Sequence, residues 1–217
     1  MHLATAALAI VGCTMFASAT TTASDTAGIE EGWEYVTSGS TIKLGHTKSS
    51  ARLTMPQVGY GTGSQQQAVT AQSDASLTKA FWHIELTDTE NDEASVPPLR
   101  GSQIPCGAQI RLINSDTSHA LHSHGNHKSP MSGNQEVSGY EGRDSGDLWT
   151  VECADKKAKL WLREAPVHFK HVETGKYLQS LPNKKYRNPI AGHQEVSAGK
   201  KADANAQWMA LEGYYFR

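Results

Sequence analysis

His119, His122, His124 and His127 lie within nine positions, four of the ten histidines in the chain. Imidazoles at that density suggest metal ligation, proton transfer or polar recognition. His122 and His124 are two apart, so on a strand they share a face, a workable ligand spacing that His119 and His127 would supplement. Zinc wants four ligands, or three and a water, and no cysteine or carboxylate stands at a supporting spacing. A polar, hydrogen-bonding surface is therefore expected, with no metal and no cofactor. Ser123 lies between the two histidines, but neighbours on a strand face opposite sides, so they form no nucleophile–base pair. Neither GxSxG, a P-loop nor HExxH occurs, and no carboxylate pair stands out. The chain is expected not to be an enzyme. Recognition is the better use of these residues.

The elements that must position them recur three times. "TIKLGHTKSSARLT" (41–54), "QIRLINSDTSHALH" (109–122) and "PVHFKHVETGKYLQ" (166–179) each open on two apolar residues spaced by one: Ile42/Leu44, Ile110/Leu112 and Val167/Phe169. A leucine follows nine positions after the second: Leu53, Leu121 and Leu178. Then come "QAVT" (67–70), "QEVS" (135–138) and "QEVS" (194–197), and 12 or 13 residues past the valine stand Trp82, Trp149 and Trp208. Matched features in one order, three times over, are an internal repeat.

Apolar spacing of two, with Gly, Pro, Ser and Asn every eight to twelve residues, predicts four short strands per repeat. One such unit buries a single face and leaves its edges open. Three units around a pseudo-threefold axis pool their apolar positions and remove most edges, which predicts an all-β β-trefoil of about twelve short strands. The repeats are expected at about 36–86, 104–152 and 165–213, with an exposed acidic, Pro-rich connector at 87–103. Trp82, Trp149 and Trp208 are expected to fill equivalent core layers, the competing reading being ligand stacking. Trp33 and Trp161 fall outside the repeat register. Gln135, with Gln67 and Gln194, either meets ligand or satisfies turn backbone groups in every copy.

At 217 residues with a formal charge of −2, the chain suits one substantial domain and lacks the basic excess of a nucleic-acid binder. Residues 3–19 carry no charge and end in Ala17-Ser18-Ala19, the small-x-small pattern of a cleaved secretory signal over 1–19. A short membrane anchor is the alternative, disfavoured because a span needs roughly 20 apolar residues. Residues 20–32 read as a flexible mature N-terminus ahead of a domain at 33–217. Without Cys13 the chain keeps Cys106 and Cys153, in an oxidising compartment most simply a disulfide, otherwise two buried thiols.

With these residues in hand, the sequence resembles the MIR-domain proteins of the stromal cell-derived factor 2 type across roughly 33–217. The most specific pieces are "CGAQIRL" (106–112), "LHSH" (121–124), "SPMSGNQEVS" (129–138), "DLWTVEC" (147–153) and "VHFKHVETGKYL" (167–178). The resemblance implies a β-trefoil of the endoplasmic-reticulum lumen. Its implied partners are the BiP-type chaperone, a luminal J-domain co-chaperone, and unfolded or O-mannosylated client proteins, with no nucleic acid and no membrane span. The implied roles are protein quality control and the unfolded protein response, and the resembling modules point to His122, Ser123, His124, Gln135 and Glu136 as the candidate ligand-binding set. Histidine is absent at Thr54 and Pro56, and "YLQSL" (177–181) also lacks the pair, so a histidine-built site is complete only in repeat 2. The chain ends "YYFR", not in a KDEL-type signal, so secretion competes with residence, and a secreted carbohydrate-binding trefoil lectin is the rival function.

Overall fold

The computed structural model describes residues 29–74, 76, 78–87 and 99–217. The signal at 1–19, most of the N-terminal stretch to 32 and positions 88–98 of the connector lie outside the described residues. Repeat 1 contains β1 (Thr41–His46), β2 (Arg52–Thr54), β3 (Gln67–Ala68), β4 (Thr70–Gln72) and β5 (Phe81–Leu86). Repeat 2 contains β6 (Gln109–Asn114), β7 (Ala120–Lys128), β8 (Gln135–Tyr140) and β9 (Trp149–Cys153). Repeat 3 contains β10 (Val167–His171), β11 (Tyr177–Lys185), β12 (Gln194–Gly199) and β13 (Trp208–Tyr214). The thirteenth strand arises because the third strand of repeat 1 is interrupted at Val69. There β3 pairs with β8, while β4 pairs with β2 and β12.

The first and last strands of the repeats close a ring: β1 pairs with β5, β5 with β6, β6 with β9, β9 with β10, β10 with β13 and β13 with β1. Ile42, Leu44, Ile110, Leu112, Val167 and Phe169 project into it and are fully buried. The middle strands form hairpins that cap one end, and these join cyclically, β3 to β8, β8 to β12 and β12 to β4. This is the β-trefoil. Among the described residues no helix is long and apolar enough to cross a membrane.

The tryptophans tie barrel to cap. Trp82, Trp149 and Trp208 are fully buried, and their indole N–H groups donate to the carbonyls of Leu53 at 3.0 Å, Leu121 at 2.8 Å and Leu178 at 3.0 Å. The donor on a last strand thus meets the acceptor on the second strand of its own repeat, which leaves no face for ligand stacking. Trp161, in contrast to the sequence reading, is in register. It stands six residues before Val167, as Val36 and Ile104 stand before Ile42 and Ile110. These three close a triangle of backbone hydrogen bonds, Val36 to Trp161 at 2.9 Å, Ile104 to Val36 at 3.1 Å and Trp161 to Ile104 at 2.8 Å. Substituting an indole for an aliphatic side chain concealed the match. Trp33 remains outside the register, partly exposed beneath the Arg217 guanidinium, while the Thr37 hydroxyl donates to the Phe216 carbonyl at 2.7 Å.

Cys106 and Cys153 are bonded, joining the chain just before β6 to the end of β9, so repeat 2 is closed covalently. In the chain-entropy model, a loop of that length stabilises the fold by about 4 kcal/mol.

Buried turn residues are also threefold. His46, Asn114 and His171 end the first strands and are fully buried. Each reaches a carbonyl on the preceding repeat in cyclic order: His46 Nε2 to Asn205 at 3.0 Å, Asn114 Nδ2 to Lys79 at 2.9 Å, His171 Nε2 to Gly146 at 3.0 Å. Burial pushes both imidazoles below their usual value of 6.5, even though the Asn205 and Gly146 carbonyls favour the charged form. A depressed pKa means the unfolded chain binds more protons, so stability is complete above pH about 6.5 and is lost as pH falls below it.

Two outcomes are expected. Trp82→Phe, Trp149→Phe and Trp208→Phe should each cost about 2–4 kcal/mol in urea unfolding, because each leaves a buried carbonyl unpaired and a void. The melting temperature should drop between pH 7 and 5, and His46→Asn with His171→Asn, the residue repeat 2 already uses, should flatten that drop. What slope persists belongs to His168 and His193, also depressed by burial. Glu212 is held low by Arg52, and Glu85 is held low by Arg143 against the opposing effect of burial; both titrate only in more acid solution.

Candidate functional site

β7 carries the histidines across the junction of repeats 1 and 2. His122, His124 and His127 line a recess of about 50 Å³ with Glu136 and Ser138 of β8 and with Ser64 and Gln66 from the repeat 1 loop. His122 is buried, His124 is exposed, and their ring centroids are 6.3 Å apart. His119 is not in the recess; it sits at the turn into β7, where its carbonyl accepts from the Asn114 N–H at 2.9 Å. Ser123 and Gln135 lie beneath the recess rather than on it. Ser123 Oγ donates to the Glu136 carbonyl at 2.6 Å and accepts from Gln135 Nε2 at 2.7 Å. The serine hydroxyl is thereby committed to the fold and unavailable as a nucleophile. The same glutamine–serine pair recurs in repeat 3, where Ser180 Oγ donates to Gln194 Oε1 at 2.9 Å; in repeat 1, with Met55 at the serine position, Gln67 donates to the Pro56 carbonyl.

His122 is oriented from behind. Its Nδ1 lies 3.0 Å from Asp147 Oδ1 and 3.4 Å from Asp144 Oδ1. The sequence reading found no supporting carboxylate because these two stand 22 and 25 residues downstream. The signal was the D-x-x-D of "DSGD" (144–147), a capping box on the 3-10 turn Ser145–Asp147. Asp144 Oδ1 accepts from the Gly146 N–H at 2.8 Å and Asp147 Oδ2 from the Asp144 N–H at 3.0 Å. One imidazole and two carboxylate atoms fall within 4.8 Å of one another, a geometry that suits a cation. Yet both acids already accept backbone N–H groups and point at one ring nitrogen, so their hydrogen bonds account for the cluster. Gly146 permits the approach, since a Cβ there would stand 2.4 Å from His122 Cε1. With Nδ1 engaged, Nε2 is the ring nitrogen left for the recess, an acceptor when the ring is neutral.

Glu136 supplies the opposite wall. Its Oε1 accepts from the Ser64 N–H at 3.2 Å and from the Ser64 hydroxyl. Oε2 is buried without a partner. Glu195 does the same one repeat on: its Oε1 accepts from Ser129 Oγ at 2.7 Å, Met131 N at 2.8 Å and Ser132 N at 3.2 Å. Each glutamate therefore holds the loop of the preceding repeat, and the third junction has Ala68 instead. A second set of bonds completes the cycle at all three junctions. Ser138 Oγ donates to Gln66 Oε1 at 2.6 Å, Asn134 Nδ2 to Ser197 Oγ at 3.2 Å, and Thr70 Oγ1 pairs with His193 Nδ1 at 2.8 Å. The recess is thus lined by the Glu136 carboxylate, an oriented imidazole and the imidazoles of His124 and His127 around a small volume. Such a set has the hydrogen-bonding groups to pair with hydroxyls or amides.

The MIR domain family pattern matches residues 34–159. Human stromal cell-derived factor 2 is 37% identical over 185 residues, covering 84% of this chain and 82% of its own. The crystal structure of the SDF2-like protein from Arabidopsis thaliana superimposes with a TM-score of 0.76 at 35% identity, covering 84% of this chain and 97% of that one. A protein O-mannosyltransferase complex of S. cerevisiae shares the fold, with a TM-score of 0.70 at 24% identity over 87% of this chain and 27% of that chain.

Gly63→Ala tests the carboxylate–loop contact. Its φ is +72° and a Cβ would fall 2.0 Å from Glu136 Oε2, whereas Gly133, at φ +71°, has open space around it. Both substitutions should incur the left-handed backbone cost of about 1–2 kcal/mol. Gly63→Ala should lose a further ~1–3 kcal/mol through the displaced carboxylate. Equal losses in urea unfolding would show that the Glu136 contact adds nothing.

Proposed function

The chain belongs to the MIR-domain family, in its stromal cell-derived factor 2 group, and on that premise we propose that it works without catalysis in the folding and quality control of secretory proteins. In this reading it resides in the endoplasmic-reticulum lumen, joined to a BiP-type chaperone and a luminal J-domain co-chaperone, and holds unfolded or O-mannosylated clients. The observation that carries the binding role is the recess at the junction of repeats 1 and 2, where Glu136 Oε2 is buried without a partner beside the Asp147-oriented His122. A buried acceptor left unpaired costs about 1–3 kcal/mol, which a ligand N–H or O–H would recover. The disulfide and the signal-like N-terminus agree with an oxidising, luminal setting. The same donors and acceptors suit sugar hydroxyls, which keeps a secreted β-trefoil lectin as the second reading.

His124 and His127 can be altered without disturbing the buried His122–Asp147 pair, so His124→Ala with His127→Ala is the discriminating variant. Its stability should stay within about 0.5 kcal/mol of the parent, as for surface substitutions generally. Affinity capture from endoplasmic-reticulum lysate should recover the chaperone and the J-domain protein with both parent and variant, and clients with the parent alone. Saturable mannose binding on a glycan array without those partners would instead establish the lectin.

A further inference from the structure

The junction of repeats 3 and 1 is the threefold counterpart of the histidine recess, and its chemistry is inverted. Thr54 takes the place of His122, Pro56 that of His124, and His193 that of Gln66, while Ala68 stands where Glu136 would intrude. The space there is about 270 Å³, against about 50 Å³ in the recess. No carboxylate lines it. Lys79 supplies a cation, Gln57 and Gln72 supply amides, and prolines with Val58 and Ile190 make an apolar wall. The Lys79 ammonium has no ion-pair partner among the described residues. Thr54 is almost fully buried, and its hydroxyl has no hydrogen-bond partner, although hydroxyls in such positions are normally satisfied. His193 spends Nδ1 on Thr70, and burial together with Lys79 favours its neutral form. A cation without an ion-pair partner and a hydroxyl without a hydrogen bond therefore face one cavity beside an apolar wall.

We propose that this cavity binds a carboxylate carried on a small apolar group, with Lys79 and Thr54 holding the carboxylate and Pro56 and Ile190 packing the apolar part. A charged, hydrogen-bonded anchor against an apolar wall is the usual economy of a small-ligand site. The ligand is either a free acid of that kind or the C-terminal residue of a peptide, which present the same chemistry. The assignment is independent of the histidine recess, whose residues lie at another junction, so either site can fail without the other.

The test is titration of the uniformly 15N-labelled full chain with N-acetyl-leucine, followed by amide chemical shifts. Saturable shifts are expected at Gln57, Gln72, Lys79 and His193, with a Kd of about millimolar for so small a ligand. N-acetyl-leucine amide should not bind. Lys79→Gln should weaken binding at least roughly tenfold, and Lys79→Arg should retain it. Thr54→Val, which keeps the shape and removes only an unpaired hydroxyl, should weaken binding while leaving the melting temperature equal or higher. A pentapeptide ending in leucine with a free C-terminus separates the sources. Tighter binding than the single acid identifies a peptide terminus, and its exclusion identifies a free acid. Absence of saturation, equal binding of the amide, indifference to Lys79→Gln, or shifts confined to Ser64 and His124 would each overturn the assignment.

Discussion

A tryptophan N–H bonded to a leucine carbonyl, made once in each repeat, is the contact on which the architecture depends. Barrel strands and cap hairpins belong to one continuous sheet, but within each repeat the first strand meets the second at a single residue pair, Gly45–Arg52, Ile113–Ala120 and Lys170–Tyr177. Trp82, Trp149 and Trp208 bridge the two layers with both a large apolar surface and a single directed bond. The leucine that accepts the bond also fills the core, so a side chain and its own carbonyl are fixed together. Once the three bridges are formed, the positions between them are set by closure rather than by local preference. That explains how repeat 1 tolerates a broken third strand and how repeat 2 tolerates asparagine where its neighbours have histidine.

Between repeats the rules are looser, and there the molecule diversifies. The pair that joins each loop to the next repeat is Gln66–Ser138, Asn134–Ser197 and His193–Thr70. Three different side chains perform one task. A second connection, glutamate to preceding loop, is kept at two junctions and dropped at the third. Because the first connection suffices to hold the cap together, the second is free to vary, and the space around it varies with it. One junction becomes a narrow acidic and imidazole-lined recess, and another a wider cavity with a cation.

What could be read in the chain beforehand was whatever recurs at constant spacing. The Ile/Val and Leu positions, the tryptophans and the QEV segments stand in a fixed order, and the closed architecture follows from burying one face of each copy. The cysteine pair could be read from its parity. What could not be read were contacts across large separations. Asp147 orients His122 from 25 residues away, and Glu136 holds Ser64 from 72 residues away. Neither has a spacing that a pattern would reveal, although the D-x-x-D cap could have been noticed. Trp161 was missed for a different reason: its place in the triangle with Val36 and Ile104 is defined by backbone bonds, which leave side-chain identity free. Ser123 and Gln135 belong to the expected ligand-binding set, but the pleat turns them inward beneath the recess.

The two ends of the domain meet, with Thr37 bonded to Phe216 and Trp33 beneath Arg217. Together with the cyclic handover between repeats, this makes the order in which the copies are strung largely a matter of history. A circular permutant that joined residue 217 to residue 33 by a short linker, and opened the exposed turn at Asp155–Lys157, would keep every strand neighbour it has now. Connectivity and topology are thereby uncoupled, as expected of a chain built from three copies of one unit.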